Sequence, residues 1–342
     1  MGKEDQRDNS ISELVDKTLK GSIRALGKLI TLVEDGHPGS LEALKRIYYH
    51  TKDAYVVGLT GAPGTGKSTL VGRVAVEIRR KGFKVGIIAI DPSSPFTGGA
   101  FLGDRVRMMN TSNDNDIYIR SMGTRGSLGG LSEATASTVK LLDAFGKDFI
   151  LIETAGTGQA EVDVVKETDT TVVVCVPGLG DEIQTMKAGV MEIGDIFVVN
   201  KADLKDADRL AGDIETMLHM GYESKEWIPP IIKTVATEGT GVVTLVEEIL
   251  SHREYLIKSG LLKSKKLRRI KQQIFEIVRN KIIDKISNLS NEANQISDKL
   301  LNEIMSRQKD PYTVSEEIID NFVEVFQKPY VRKARETQER EA

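Results

Sequence analysis

Cysteine is almost absent from this 342-residue sequence, whose only example is Cys175. A single cysteine cannot form a disulfide within the chain, and Cys175 lies in an apolar run (residues 172–176) that favours a small buried core residue. The four histidines are His37, His50, His219 and His252. They have no metal-ligand spacing with one another or with the cysteine. The sequence therefore gives no indication of a disulfide-stabilised scaffold or of a Cys/His metal site.

Net charge is also small, at −3, because 47 Lys and Arg nearly balance 50 Asp and Glu. This balance gives no general reason to expect binding to nucleic acid. Long hydrophobic runs are missing, since none approaches the roughly eighteen residues that cross a bilayer. The polar N-terminal residues are unlike a secretory signal or a transit peptide, and Gln6 breaks the myristoylation pattern that Gly2 would begin. We expect a cytoplasmic protein with no nucleic-acid or membrane partner.

What the sequence does contain, from residue 54 to about residue 249, is an alternation of short apolar runs with helical patterns. The runs are residues 55–59, 84–90, 116–120, 149–153, 171–176, 196–200 and 230–235. Repeated alternation of strand and helix is typical of a mostly parallel sheet covered by helices on both faces. We therefore predict an α/β fold.

One loop of this region follows the phosphate-binding pattern G-x-x-x-x-G-K-[ST] at every fixed position. Its residues are Gly61, Ala62, Pro63, Gly64, Thr65, Gly66, Lys67, Ser68 and Thr69. An apolar run precedes the loop and a helical pattern follows it, as the motif requires. Small residues let successive backbone N–H groups surround phosphates, and the helix N-terminus adds positive potential. We predict that Lys67 reaches the β- and γ-phosphates as a catalytic group and that the Ser68 hydroxyl binds Mg²⁺.

A second motif indicates which base is bound. Asn200-Lys201-Ala202-Asp203 is the pattern N-K-x-D, with which GTP-binding proteins select guanine. The Asp203 carboxylate can accept both the N1–H and the exocyclic amine of guanine, whereas adenine offers no such pair and would leave the carboxylate unpaired. We expect Asn200 to tie this loop to the phosphate loop and the Lys201 stem to lie across the base.

A third segment, Val235-Ala236-Thr237, is predicted to place a backbone N–H on the guanine oxygen. It follows an apolar run, as the corresponding segment of GTPases does. The usual signature at this place is Ser-Ala, and Val235 departs from it.

Acidic residues after other runs are candidate Mg²⁺ ligands. Glu153 begins a Glu-x-x-Gly segment where most GTPases have Asp-x-x-Gly, and it is predicted to hold Mg²⁺ or one of its waters. Asp91 ends the second run and Asp104 lies in the loop after it. Both are Mg²⁺ or switch candidates, with turn or helix-capping roles as alternatives. Gln159 is the candidate for orienting the attacking water. Because no histidine or internal arginine finger stands out, we expect slow hydrolysis that a partner stimulates.

The segments that flank this region are helical in pattern. We predict an N-terminal helical extension (1–50), a GTPase domain (51–255) and a C-terminal helical arm (256–342). In the arm, Leu267, Ile270, Ile274 and Ile277 have near-heptad spacing, so this stripe needs the sheet or a second chain to cover it. The basic segment 263–271 contains no aromatic residue for base stacking and is interpreted as a solvated helix face.

Four further segments, together with Asn200–Asp203, resemble the MeaB/MMAA family, formerly named ArgK, within the SIMIBI class of GTPases. The segments are residues 90–108, 122–131, 153–159 and 177–187. Residues 24–34 also resemble the N-terminal helices of the family, and the resemblance covers roughly residues 20–255.

This resemblance implies a GTPase chaperone of an adenosylcobalamin-dependent acyl-CoA mutase, typically methylmalonyl-CoA mutase. Members bind the mutase, gate cofactor delivery from an adenosyltransferase, and help to prevent or repair inactivation. They are usually homodimers joined through the C-terminal arm. In the family, the segment 177–187 is a switch that couples nucleotide state to the mutase. Asp181, Gln184 and Lys187 occupy the matching positions here, and Arg107 is a candidate in the earlier switch.

Three alternative functions stay open at this point. A nickel-insertion GTPase chaperone of the same class would need Cys or His ligands that the sequence does not cluster. An ATP-dependent kinase of a transport protein, as the older family name suggested, is disfavoured by Asn200–Asp203 and by the absence of protein-kinase motifs. A scaffold whose nucleotide is only structural would bind a mutase equally well with GTP, with GDP and without nucleotide.

Overall fold

The computed structural model describes residues 3–91, 114, 116–123, 133–154, 166–178, 191–222, 226–293, 298–316 and 319–320. Residues 1–266 and 267–342 form two compact units, which are described separately. The strands described in the first unit are β1 (Tyr55–Thr60), β2 (Val85–Asp91), β3 (Ile117–Gly123), β4 (Phe149–Glu153), β5 (Thr170–Cys175), β6 (Ile196–Asn200) and β7 (Ile231–Thr234).

Helices surround these strands along the chain. Those described are α1 (Lys3–Leu19), α2 (Ile23–Glu34), α3 (Ser40–Tyr48), α4 (Lys67–Arg80), α5 (Glu133–Ala144), α6 (Met191–Ile193), α7 (Ala207–Tyr222), α8 (Val242–Lys258), α9 (Leu261–Ala293) and α10 (Asp298–Met305). Helix α9 begins in the first unit, and α10 lies in the second.

The strands form a seven-stranded sheet in the order β3-β2-β4-β1-β5-β6-β7, and every pairing is parallel. The α/β prediction is therefore confirmed, and the sheet described is fully rather than mostly parallel. Because parallel strands end at the same edge, the loops that follow β1, β4, β6 and β7 lie together there. Strands β1, β4, β5 and β6 are buried along their whole length, which explains their continuous apolar sequences.

Helices cover both faces of the sheet. On one face, Leu70 and Val74 of α4 share a core with Leu245 and Ile249 of α8. On the other face, α1, α2, α3 and α5 pack over β2 and β4, with Leu26 of α2 fully buried. Helix α7 completes this face beside β5 and β6. The apolar periodicity of the N-terminal segment is therefore explained by packing on the sheet.

Helix α9 runs to Ala293 and includes residues 288–291, which contain asparagine and serine. Asparagine and serine are weak helix formers, and they do not end a helix that has no proline or glycine. Apolar residues on this helix are strongly exposed, including Leu267 at 58%, Ile274 at 56% and Phe275 at 63%. Within the described ranges, no helix is both long enough and apolar enough to cross a membrane.

Candidate nucleotide site

The loop between β1 and α4 has the backbone that a phosphate-binding loop needs. Gly61 (φ 146°) and Gly66 (φ 87°) have positive φ angles that favour glycine. A Cβ atom on Gly61 would lie 2.1 Å from the carbonyl oxygen of Val174, and one on Gly66 would lie 2.6 Å from the side-chain nitrogen of Asn200. Both positions therefore require glycine for space as well as for conformation.

Lys67, the first residue of α4, is buried and folded back over this loop. Its ammonium group donates to the carbonyl oxygens of Gly61 at 2.6 Å and Ala62 at 3.0 Å. Thr65 is also buried, and its hydroxyl donates to the Ala62 carbonyl at 2.9 Å. The positive charge is therefore held directly above the main chain of the loop.

The next residue connects the loop to β4. The Ser68 hydroxyl donates to Glu153 Oε1 at 2.5 Å, and Glu153 is buried at the carboxyl end of its strand. The neighbouring Thr154 hydroxyl donates to Thr60 Oγ1 at 3.2 Å, which fastens the same end of β4 to β1. Hydroxyl and carboxylate oxygens are the ligands that Mg²⁺ prefers, so Ser68 and Glu153 are chemically suited to bind this ion.

The backbone of Asp91 ends β2 at the same edge, because Ala89 of β2 pairs with Glu153 of β4. Among the side chains that the structure describes, no group of three or more His, Cys, Asp or Glu residues could hold a metal ion. The predicted residues Asp104, Arg107, Gln159, Asp181, Gln184 and Lys187 lie outside the described residues.

Asn200 connects three loops at this edge. Its side-chain nitrogen donates to the carbonyl of Thr65 in the phosphate loop at 2.7 Å. Its side-chain oxygen accepts from the Thr234 hydroxyl at 3.0 Å and from the backbone N–H of Ala236 at 3.1 Å. The side chain is almost fully buried, with 1% exposed. One amide therefore fixes the loop after β6 to both the phosphate loop and the loop after β7.

The residues predicted to contact the base lie beside this amide. Lys201 has a left-handed backbone with φ 55°, which turns the chain sharply after β6. Asp203 is exposed, so its carboxylate is open to a ligand. Ala236 is buried, whereas Thr237 is exposed. Val235 pairs with Thr240 across a tight turn.

One residue of this arrangement, Arg73 of α4, was not predicted from the sequence. Its Nε donates to the carbonyl of Ala236 at 3.1 Å, and its Nη2 donates to the carbonyl of Thr237 at 2.5 Å. The sequence carried no direct signal for this contact. Arg73 simply interrupts an apolar helix face, and its partners lie 163 and 164 residues further along the chain.

A second polar cluster lies at the opposite edge, where strands β1, β5 and β6 begin. The Tyr55 and Thr170 hydroxyls lie 2.5 Å apart, and Thr170 lies 2.8 Å from Nδ1 of His252. His252 Nε2 lies 3.5 Å from Asp195, and burial lowers the pKa of His252 to about 4. His252 is therefore a neutral, hydrogen-bonded core residue near neutral pH.

The N-terminal part of α9 contacts residues of the same cluster. Lys265 donates to the carbonyl of Asp169 at 2.9 Å, and its ammonium lies 3.5 Å from the Asp195 carboxylate. Trp227 donates to the carbonyl of Asp195 at 2.9 Å and stacks on Tyr255 with 5.3 Å between ring centroids. Two basic residues of the segment 263–271 thus have partners in the first unit, because Lys266 also pairs with Asp53 at 3.0 Å.

Comparison with known proteins identifies the family of this chain. The sequence profile described as methylmalonyl-CoA mutase-associated GTPase MeaB matches residues 26–291. The chain belongs to the MeaB family. The family match confirms the resemblance stated from the sequence, and this member is a GTPase that binds guanine nucleotide.

Relatives match over most of their length. The Pyrococcus horikoshii protein PH0274, whose name describes a GTPase, is 48% identical over 316 residues, which cover 92% of this chain and 98% of the relative. GTPase ArgK of Escherichia coli is 33% identical over 272 residues, covering 77% of this chain and 81% of ArgK. A solved structure titled LAO/AO transport system kinase has a TM-score of 0.68 at 23% identity, with 92% of this chain and 98% of that chain covered. This last likeness concerns the fold alone.

Proposed function

We propose that this MeaB family GTPase is a chaperone of an adenosylcobalamin-dependent acyl-CoA mutase, with methylmalonyl-CoA mutase as the first candidate. It would gate loading of the cofactor from an adenosyltransferase and protect or reactivate the mutase. The observation that carries the proposal is the family profile, which matches 26–291 and whose description names association with that mutase. We also propose a cytoplasmic location.

The nucleotide is proposed to lie along the carboxyl edge of the sheet. Its phosphates would lie in the loop of residues 61–69, and its guanine would lie between the Lys201 stem and the Asp203 carboxylate. The backbone N–H of Ala236, which donates to Asn200 Oδ1, would be shared with the guanine oxygen. The Asn200 amide supports this placement, because it already fixes all three loops relative to one another.

Lys67 is proposed to neutralise developing charge during phosphoryl transfer. Its ammonium donates to the Gly61 and Ala62 carbonyls, so its protons point into the loop that would hold the phosphates. Phosphate oxygens are stronger acceptors than amide carbonyls, and they would take over these hydrogen bonds. Gln159 is the proposed residue for orienting the attacking water.

Mg²⁺ is proposed to be held by Ser68, with Glu153 binding it directly or through a water and with Asp91 and Asp104 as further candidates. When bound, the ion would neutralise charge on the β- and γ-phosphates. The short contact between Ser68 and Glu153 supports this assignment, because it already brings a hydroxyl and a buried carboxylate together at the end of the phosphate loop.

Coupling to the mutase is proposed to use the segment 177–187, with Asp181, Gln184 and Lys187, and Arg107 from the earlier switch. The contact between Gly61 and Val174 supports this, because the phosphate loop packs directly on β5 three residues before that segment begins. Loss of a γ-phosphate is a common cause of reordering in such loops.

A homodimer through the C-terminal arm is proposed as well. The residues Leu267, Ile270, Ile274, Val278 and Ile282 recur every three or four positions on α9, and all are exposed. A stripe with this spacing is typical of a helix that pairs with a second helix.

The proposed function is tested by adding purified methylmalonyl-CoA mutase to this GTPase. We expect GTP turnover to rise on addition of the mutase, and mutase binding to depend on whether GTP or GDP is present. Lys187→Ala should leave nucleotide affinity nearly intact and reduce the stimulation, whereas the exposed control Lys20→Ala should change neither. Equal mutase affinity with GTP, with GDP and without nucleotide would instead support a scaffold.

Binding assays separate the proposed function from the nickel chaperone and from the kinase. Stoichiometric nickel uptake would favour a nickel-insertion chaperone. ATP that competes as well as GTP would favour the kinase of a transport protein. We expect neither result.

A further inference from the structure

We infer that Arg73 is a positioning residue for guanine recognition. It lies in the second turn of α4, the helix that begins at Lys67. Its guanidinium donates to two successive carbonyls of the loop after β7, those of Ala236 at 3.1 Å and Thr237 at 2.5 Å. The fork of N–H donors on arginine suits two neighbouring acceptors, and the single ammonium of lysine does not.

The two peptide groups that flank Ala236 are therefore held from opposite sides. The N–H of Ala236 donates to Asn200 Oδ1 at 3.1 Å, whereas its carbonyl accepts from Arg73 at 3.1 Å. Peptide groups are planar, so fixing both of them fixes the backbone of Ala236. The direction of the Ala236 N–H is consequently set by Arg73 and Asn200 together, and this N–H would be shared between Asn200 Oδ1 and the guanine oxygen as a three-centre hydrogen bond.

The shape of the loop allows this approach. Gly239 has φ 87°, and a Cβ atom there would lie 3.9 Å from Nη1 of Arg73. The N–H of Gly239 donates to the carbonyl of Val235 at 2.9 Å, which keeps the turn compact. Gly241 follows with φ 76°, at a point where a Cβ atom would lie 2.1 Å from the Lys233 carbonyl. Two carbonyls of this turn, those of Ala236 and Thr237, face Arg73 of α4.

The consequence is a fixed distance between the two halves of the nucleotide site. Lys67 and Ser68 lie on the first turn of α4, where they would contact the phosphates. Arg73 on the second turn holds the loop after β7, which would contact the base. A shift of the loop after β7 relative to the phosphate loop would misplace a nucleotide that contacts both loops. Loss of Arg73 should therefore weaken guanine binding and leave the hydrolysis step of bound GTP nearly unchanged.

This inference rests on the proposed contact between the Ala236 N–H and the guanine oxygen. It is tested with Arg73→Ala, Arg73→Lys and the control Arg80→Ala, which removes an exposed arginine of the same helix that pairs with Glu77. Affinities for GDP and for 6-thio-GDP are measured by calorimetry in the presence of magnesium. The sulfur analogue keeps the edge that Asp203 would bind and replaces the guanine oxygen with a weak acceptor.

We expect Arg73→Ala to raise the Kd for GDP about tenfold, the size of one hydrogen bond to a charged group. The Kd for 6-thio-GDP should rise less than about twofold, because the wild type gains little from that acceptor. At saturating GTP, kcat should stay within about twofold while KM rises. Arg73→Lys should restore part of the affinity, and Arg80→Ala should resemble the wild type.

Two results would overturn the inference. One is an unchanged GDP affinity in Arg73→Ala; the other is an equal loss for GDP and 6-thio-GDP, which indicates general damage to the site. Thermal melting of each variant identifies such damage independently. Failure of the guanine site itself is distinguishable, because the wild-type protein would then bind ADP as tightly as GDP.

Discussion

The hydroxyl of Ser68 lies 2.5 Å from the carboxylate of Glu153, and this contact joins the first turn of α4 to the end of β4. The two residues are 85 positions apart in sequence, and the parallel sheet alone brings them together. The phosphate loop and the acidic end of β4 thus meet at one point.

The first prediction concerns Glu153→Gln. The amide keeps the size of the side chain and removes the negative charge that would attract Mg²⁺ or order its waters. We expect the magnesium concentration that gives half-maximal GTP turnover to rise about tenfold or more. Magnesium titrations of wild-type and variant turnover check this, and an unchanged midpoint would remove Glu153 from the metal site.

The second prediction concerns Lys67→Ala. Removal of the ammonium takes away a preorganised charge above the phosphates, so GTP turnover should fall at least about 100-fold. Lys81→Ala removes an exposed lysine just past the end of the same helix and should retain activity. Single-turnover assays at saturating GTP make the comparison. Wild-type turnover in Lys67→Ala would show that the lysine is not catalytic.

The third prediction concerns pH. Burial lowers the pKa of His252 to about 4, although Asp195 and Asp169 oppose this effect and Lys265 adds to it. Below its ordinary pKa of about 6.5, the unfolded chain binds a proton at His252 that the folded chain does not bind. Stability should therefore fall as the pH falls, by about 2 kcal/mol between pH 7 and pH 5.

Urea unfolding followed by fluorescence checks this directly, because Trp227 is the only tryptophan and its ring lies 4.7 Å from the His252 ring. His252→Gln removes the titrating group and should flatten the pH dependence over this interval. An equally steep dependence in that variant would assign the effect to other groups.

The sequence was sufficient for the parts of the fold whose signals are local. Strands buried on both faces give continuous apolar runs, and β1 and β6 lie close to where those runs predicted them. The edge strand β3 continues to Gly123, three residues beyond the predicted run. Because most of its residues are only half-buried, the strand can contain polar residues such as Arg120 and Ser121. These residues interrupt the apolar run, so the run does not indicate where the strand ends.

Contacts between residues far apart in the sequence were harder to predict from the sequence. The link from Asn200 to Thr65 could be expected because it belongs to a known motif. The link from Arg73 to Ala236 could not, because it needs the packing of α4 against α8. Likewise, His252 looked like an isolated histidine, and only the sheet places Thr170 and Asp195 beside it.

The carboxylate of Asp203 is proposed to select guanine. The measurement is calorimetric titration of wild-type protein and Asp203→Asn with GDP, XDP and ADP in magnesium buffer. Asparagine can donate to the carbonyl that xanthine carries in place of the guanine amine. We predict that the wild type prefers GDP to both other nucleotides by about 100-fold or more, and that the variant prefers XDP. Equal binding of GDP and ADP by the wild type, or an undiminished preference for GDP in the variant, would contradict the claim.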